Sequence, residues 1–170
     1  MKLDLRKDFD DIYAHLVKRV KAFDPKKNPG PGKGKSVAMI EVGFQCDQDG
    51  WVAVVFDTRP DAEPDGEWNT YINKTLFARK HWQKALEALE SGTVDVILPD
   101  GAKRKLTGET EFEDFVALFG DLLKSVLLKA RADGVFKTLP TATECHMEIE
   151  EQDGSYGWPN YEDRGKEDRV

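Results

Sequence analysis

Five carboxylates crowd a short stretch of the chain: Asp57, Asp61, Glu63, Asp65 and Glu67. Acids at alternate positions followed by Gly66 have the chemistry of a hard-cation loop, because calcium and magnesium take oxygen ligands gathered by a sharp turn. Counted from Asp61, the first, third, fifth and sixth positions are Asp61, Glu63, Asp65 and Gly66. The twelfth, where a bidentate acid belongs, is Ile72, and Pro64 interrupts the turn. Two readings stay open. In one, Asp57, Asp61, Glu63 and Asp65 hold a metal that activates water, as in a metal-dependent hydrolase. In the other, Asp57 to Glu67 is an acidic, solvated loop.

Gly30-Pro-Gly-Lys-Gly-Lys-Ser36 has the outline of a phosphate loop, yet the position of its first glycine is Pro29. Its context is also reversed. A phosphate loop follows a strand and opens a helix so that helix amides meet the phosphate. Here a helix precedes and a strand follows, so the stretch reads as a mobile basic linker. His15, His81 and His146 have no metal-ligand spacing. Cys46 and Cys145 fall on the apolar sides of strands, where a thiol is buried and inert. Cys145 and His146 are neighbours on a strand and point to opposite faces, so they cannot couple directly. No cofactor is expected.

Aromatics beside acids offer another chemistry. Asp61, Glu63, Asp65, Glu67 and Trp68 form one such segment, and Glu148, Glu150, Tyr156 and Trp158 another. Carboxylates would steer a basic protein partner and the rings would supply buried contact area. The plainer reading is that the rings fold back and cap the edges of the core.

These residues must be positioned by regular elements, and the hydrophobic pattern supplies them. Phe9, Ile12, Tyr13, Leu16, Val17, Val20 and Phe23 recur at helical spacing. Asp4 or Asp8 caps that helix and Pro25 ends it. Ala38 to Cys46 alternates as a strand, Asp47-Gln48-Asp49-Gly50 turns, and Trp51 to Phe56 is a central strand covered on both faces. A short third strand is expected over 68–72, and a second helix from about Thr75 to Glu90, with Leu76 on its apolar side and Gly92 as its stop. Val94 to Leu98 and Ala102 to Leu106 pair across Pro99-Asp100-Gly101. Thr110 and Glu113 predict a capping box for a long helix with a wide apolar face, from Phe112 to Ala130. The last strand, Thr143 to Glu151, places Cys145, Met147 and Ile149 on one face and Glu144, His146, Glu148 and Glu150 on a wet one.

These elements predict an α+β fold: an antiparallel or mixed sheet of about five to six strands, with three helices packed mainly on one face. Residues 1–161 read as one domain, and 162–170 as a charged tail expected to fray. The 170 residues are 39% hydrophobic and 34% charged, enough apolar material for a core without disulfides. Two cysteines outside any CxxC pair, a start without a signal-peptide pattern and no long apolar run predict a cytoplasmic protein with no membrane contact. Ten Lys/Arg against five Asp/Glu in residues 1–35 contrast with one against eight in 36–70 and three against nine in 143–170. A net charge of −7 disfavours nucleic acid, whose phosphates need a basic surface.

The helix 112–132, then Asp133-Gly134-Val135-Phe136, then a strand and Asp153-Gly154-Ser155-Tyr156-Gly157-Trp158, resembles small bacterial α+β proteins associated with polymorphic toxins and thought to be immunity proteins. Phe56-Asp57-Thr58-Arg59 before an acidic loop adds to the likeness. The resemblance covers about half the chain and carries over no functional residue. It implies a non-catalytic, immunity-type binding domain that occludes a partner protein; the acidic segments point to a basic partner, and a monomer or homodimer is expected.

Overall fold

The N-terminal helix begins where its cap permits. Asp4 is extended and its carboxylate accepts the Arg6 N–H at 3.2 Å, which satisfies one of the amides that a helix start leaves open. Helix α1 spans Leu5–Lys21, with Leu5, Ile12, Leu16 and Val20 buried on one stripe. Asp8, the other candidate cap, is buried in an ion pair instead. In this computed structural model, residues 1–60, 71, 74–159 and 168–170 are described. The expected 68–72 strand and most of the 57–67 loop lie outside them.

Eight strands are seen among the described residues: β1 (Lys2–Asp4), β2 (Val37–Gln45), β3 (Trp51–Asp57), β4 (Phe77–Ala78), β5 (Thr93–Ile97), β6 (Lys103–Thr107), β7 (Thr141–Glu151) and β8 (Gly157–Trp158). They form two sheets rather than one. The larger runs β4-β3-β2-β7-β8 and the smaller β1-β5-β6. Both are mixed, with β2 parallel to β7 and β1 parallel to β5. The β5–β6 hairpin therefore pairs with the first residues of the chain instead of extending the main sheet. Its outer strand β6 exposes Lys103, Arg104 and Lys105, charges that discourage a further strand from adding to that edge.

Two further helices are described, α2 (His81–Ser91) and α3 (Phe112–Ala132). The second is shorter than its apolar spacing predicts. Phe77 and Ala78 pair with Val52 and Trp51, so the chain is extended before His81 and Leu76 is exposed. The long helix ends where expected, but the capping box does not form. Its N-cap is Glu111, and Thr110 Oγ1 accepts the Thr107 N–H at 3.0 Å, closing the preceding turn instead.

Ile40, Val42 and Phe44 of β2, Val52, Val54 and Phe56 of β3, and Met147 and Ile149 of β7 share one core with the three helices. Leu3, Val94, Val96 and Leu106 bring the smaller sheet into it. Phe119 of α3 lies 4.4 Å, centroid to centroid, from Trp82 of α2 and 5.0 Å from Phe115. Strand β3 is buried along its whole length, as its unbroken run of β-formers predicts. Strand β2 is buried on both faces too.

The glycine-rich basic stretch packs against the end of β3 and is not a free linker. The Thr58 N–H reaches Pro31 O at 3.1 Å, the Gly34 N–H reaches Thr58 Oγ1 at 3.0 Å, and Asn28 Nδ2 reaches Phe56 O at 2.8 Å. A Cβ at Gly30 would overlap the Phe56 carbonyl, and one at Gly34 the Thr58 carbonyl. These glycines serve a close approach of two backbones.

At the other end, Asp168–Val170 do not fray. The Met147 N–H donates to Asp168 O at 2.6 Å and the Val170 N–H to Cys145 O at 3.0 Å, so the last residues lie along the edge of β7. No described helix is long and apolar enough to cross a membrane.

Candidate functional site

The register of the larger sheet sorts its polar residues by face. Glu41 lies beside Glu148, Gly43 beside Glu150, and Met39 beside both Asp57 and His146. Since paired residues project to the same side, Glu41, Asp57, His146, Glu148 and Glu150 share the face turned away from α3. Glu150 is exposed, Glu148 and His146 are partly so, and Glu41 and Asp57 are buried. The five strands of this sheet carry six Asp/Glu and no Lys or Arg. The β2–β3 and β7–β8 turns add Asp47, Asp49 and Asp153 at one end.

Tyr156 and Trp158 do not join Glu148 and Glu150. Trp158 pairs with Ile149 on the helix side, is only 5% exposed, and lies under the ammonium of Lys124. Tyr156 packs edge-on against Phe44 and its hydroxyl donates to Asp121 at 3.1 Å. Burial, with the Asp121 carboxylate beside it, pushes the phenol well above its ordinary value by opposing its ionisation. In β7–β8 the acids are thus on one face and the rings on the other, which corrects the expectation of a mixed acidic–aromatic rim. The other expected partner-binding segment, Asp61, Glu63, Asp65, Glu67 and Trp68, lies outside the described residues.

Of the expected metal ligands, only Asp57 is described. Arg59 binds it from three nitrogens: Nη2 to Oδ2 at 2.6 Å, Nε at 3.0 and 3.1 Å, and the backbone N–H to Oδ1 at 2.8 Å. A cation at Asp57 would have to displace that guanidinium. Asp61, Glu63 and Asp65 lie outside the described residues.

A different carboxylate cluster is described, at the turn end of the same sheet. One carboxylate oxygen from each of Asp47, Glu151 and Asp153 lies within 4.8 Å of the others. Glu151 is fully buried. Burial pushes its carboxyl up, the Asp153 and Ser155 amides pull it partly back, and the neighbouring acids push it up again. The thiol of Cys46, beside this cluster, is raised to about 12 by burial and then by Asp47 and Glu151. Cys145 is raised to about 12 by burial. Both thiols therefore stay protonated near neutral pH, as expected of inert core cysteines. The legible signal for the cluster is a repeated pattern, Asp47-Gln48-Asp49-Gly50 after β2 and Glu151-Gln152-Asp153-Gly154 at the end of β7.

The three histidines have different partners. His81 Nε2 sits 2.9 Å from both oxygens of Asp8, which also meets Arg79 Nη1 at 3.0 Å. His146 Nδ1 is 3.0 Å from Asp168 Oδ2. His15 stacks on Phe77 at 4.5 Å, with Nε2 buried and without a partner. A nucleophilic site needs a hydroxyl or thiol within hydrogen-bond reach of such a base. Among the described residues, none is hydrogen-bonded to these rings. The Asp8–Arg79–His81 group instead fastens α1 to the segment that leads into α2.

No family model, curated protein or solved structure matches this chain.

Proposed function

We propose that this protein is a non-catalytic binding domain that docks a basic partner protein on the exposed acids of strand β7 in its larger sheet. An immunity-type inhibitor, which covers its target rather than acting on it chemically, would work in this way. The observation that carries the reading is the row of acids on the outward side of β7: Glu144 and Glu150 are exposed and Glu148 is partly so, and the five strands of the sheet carry no Lys or Arg. The Lys103–Arg104–Lys105 run lies in the other sheet. Such segregation orients an incoming basic protein, because the summed field steers association before contacts form. Trp158 is buried and Tyr156 half-buried on the helix side, so docking at the β7 acids relies on charge and strand-face shape.

The test compares wild type with Glu144→Lys/Glu150→Lys in parallel pull-downs from native lysate at low and high salt. A stoichiometric basic protein, held by wild type at low salt and reduced at least tenfold by the double reversal, supports the reading. Equal capture by both proteins, or no captured partner, overturns it.

A further inference from the structure

Strands β2 and β7 are parallel neighbours, so their C-terminal ends lie side by side, and each runs into an acid-Gln-Asp-Gly turn. The Gln152 N–H donates to Phe44 O at 3.0 Å, continuing the ladder into the turns and bringing Asp47 alongside Asp153. Glu151, opposite Phe44 in the register, points to the same end from the core side of the sheet.

Carboxylates often gather on a surface without a ligand, so their nearness alone says little. Glu151 says more. Its side chain is 0% exposed. Oε2 accepts two backbone N–H groups, from Asp153 at 2.8 Å and Ser155 at 3.3 Å. Oε1 is buried and meets no donor among the described residues. A buried carboxylate oxygen without a partner forfeits its hydration and gains nothing in return, which is why such atoms are rare in folded proteins. One oxygen of the same carboxylate lies within 4.8 Å of an oxygen from each of Asp47 and Asp153. The Asp47 carboxylate takes one short contact, from the Gln48 N–H at 2.7 Å to Oδ1. The two hairpins that build the cluster, residues 37–57 and 141–158, contain no Lys or Arg. They supply the cluster with three carboxyl groups and no Lys or Arg to pair with them.

We infer that Asp47, Glu151 and Asp153 form a binding site for a hard divalent cation of the calcium class. Oxygens within 4.8 Å of one another can all touch one ion at calcium's ligand distance of about 2.3–2.6 Å, since opposite ligands of such an ion stand about twice that far apart. Magnesium, at about 2.0–2.1 Å and strict in its octahedral geometry, would require the two turns to contract. Side chains supply only oxygen donors here, which suits a hard ion and disfavours zinc or copper. The ion would give Glu151 Oε1 its missing partner and staple the β2–β3 and β7–β8 turns together. Water and turn carbonyls would complete the shell. The site is separate from the docking face, since neither Glu144 nor Glu150 belongs to it.

The experiment is calorimetric titration of chelator-stripped full-length protein with calcium chloride, magnesium chloride, and sodium chloride at matched ionic strength, with thermal unfolding alongside. One saturable calcium site is expected, tighter than for magnesium and absent for sodium. A calcium level about a hundredfold above Kd should raise Tm by about 5–10 °C, as for any ligand that binds only the folded state. Asp47→Asn and Asp153→Asn alter side chains that are partly or fully exposed, so both variants should fold, and each should weaken calcium binding at least tenfold. Glu151→Gln should abolish it. No saturable heat up to millimolar calcium, unchanged affinity in both Asn variants, or tighter binding of magnesium than calcium would overturn the assignment.

Discussion

His15 illustrates how a single side chain couples this fold to pH. Its ring stacks on Phe77 and its Nε2 is buried without a partner. Burial lowers its pKa below the ordinary 6.5, and Arg19, Lys18 and Arg79 push it the same way. The unfolded chain therefore holds more protons at this position once pH falls below about 6.5. Stability should fall as pH drops through that value toward the lowered folded pKa, and this loss should stop below it. One proton sets a ceiling of about 1.4 kcal/mol per pH unit, and the partial burial of the ring keeps the slope under that. His15→Phe retains the stack and removes the proton site. Urea unfolding between pH 7.5 and 5 should show a shallower pH dependence in the variant; equal slopes would mean His15 is solvated in the folded state. In the sequence His15 was one more histidine on a helix, because the burial that lowers its pKa is set by packing against distant segments such as Phe77, on which its ring stacks.

At the scale of elements, the joint between α1 and the start of α2 rests on Asp8, Arg79 and His81. Asp8 and Arg79 are both nearly fully buried, and the guanidinium also lies 4.0 Å from the centroid of the Phe77 ring. Asp11 adds a second acid to Arg79 at 3.2 Å. Removing one member of a buried pair leaves the other uncompensated, at a cost of about 3–5 kcal/mol, whereas replacing both by apolar residues costs far less. Arg79→Met should thus destabilise by about 3 kcal/mol or more. Asp8→Leu/Arg79→Met should cost clearly less than the sum of the two single changes, and a double-mutant cycle in urea measures the difference. Additive losses would show that the pair contributes no coupling. Helix α1 itself was legible, since its stripe and its Asp4 cap are local. The role of Asp8 was not. An acid in the first helical turn suits a cap as well as it suits a distant arginine, and only packing decides between them. The same competition shortened α2: its periodicity reached back to Thr75, but Phe77 and Ala78 gain more by joining β3 as an edge strand.

At the scale of the whole molecule, acidic charge gathers in the larger sheet while β6 carries basic residues, and the C-terminus is part of the fold. Asp168–Val170 contribute two backbone hydrogen bonds to β7, the His146–Asp168 contact, and the Arg131 Nη1 bond to Arg169 O at 3.0 Å. Net hydrogen-bond contributions of about 0.5–1.5 kcal/mol each imply that deleting 168–170 lowers stability by about 2 kcal/mol. The Cys145 to Met147 amides should then exchange hydrogen faster. Unchanged stability and exchange would place these residues off the sheet in solution. A charged composition predicted fraying here; an available strand edge reverses it, because the β7 backbone groups are better satisfied by another strand than left open.

What the sequence by itself determined is whatever depends on neighbours a few residues apart. Helical stripes, strand alternation, the Asp-Gly turns and the end of the long helix are of this kind, since 3.6 and 2 residue periods and positive-φ turns are properties of the local chain. The α+β class follows from their order. Tertiary structure alone decided the pairings between distant segments. It placed Lys2–Asp4 beside β5 to make a second sheet and set β2 parallel to β7. It turned Trp158 inward while Glu150 faces out, and it brought Asp47, Glu151 and Asp153 to one point. The physical reason is that strand partners and buried ion pairs are chosen by competition across the whole chain for hydrogen bonds and for burial. Local periodicity says which residues want a partner, but not which partner they obtain.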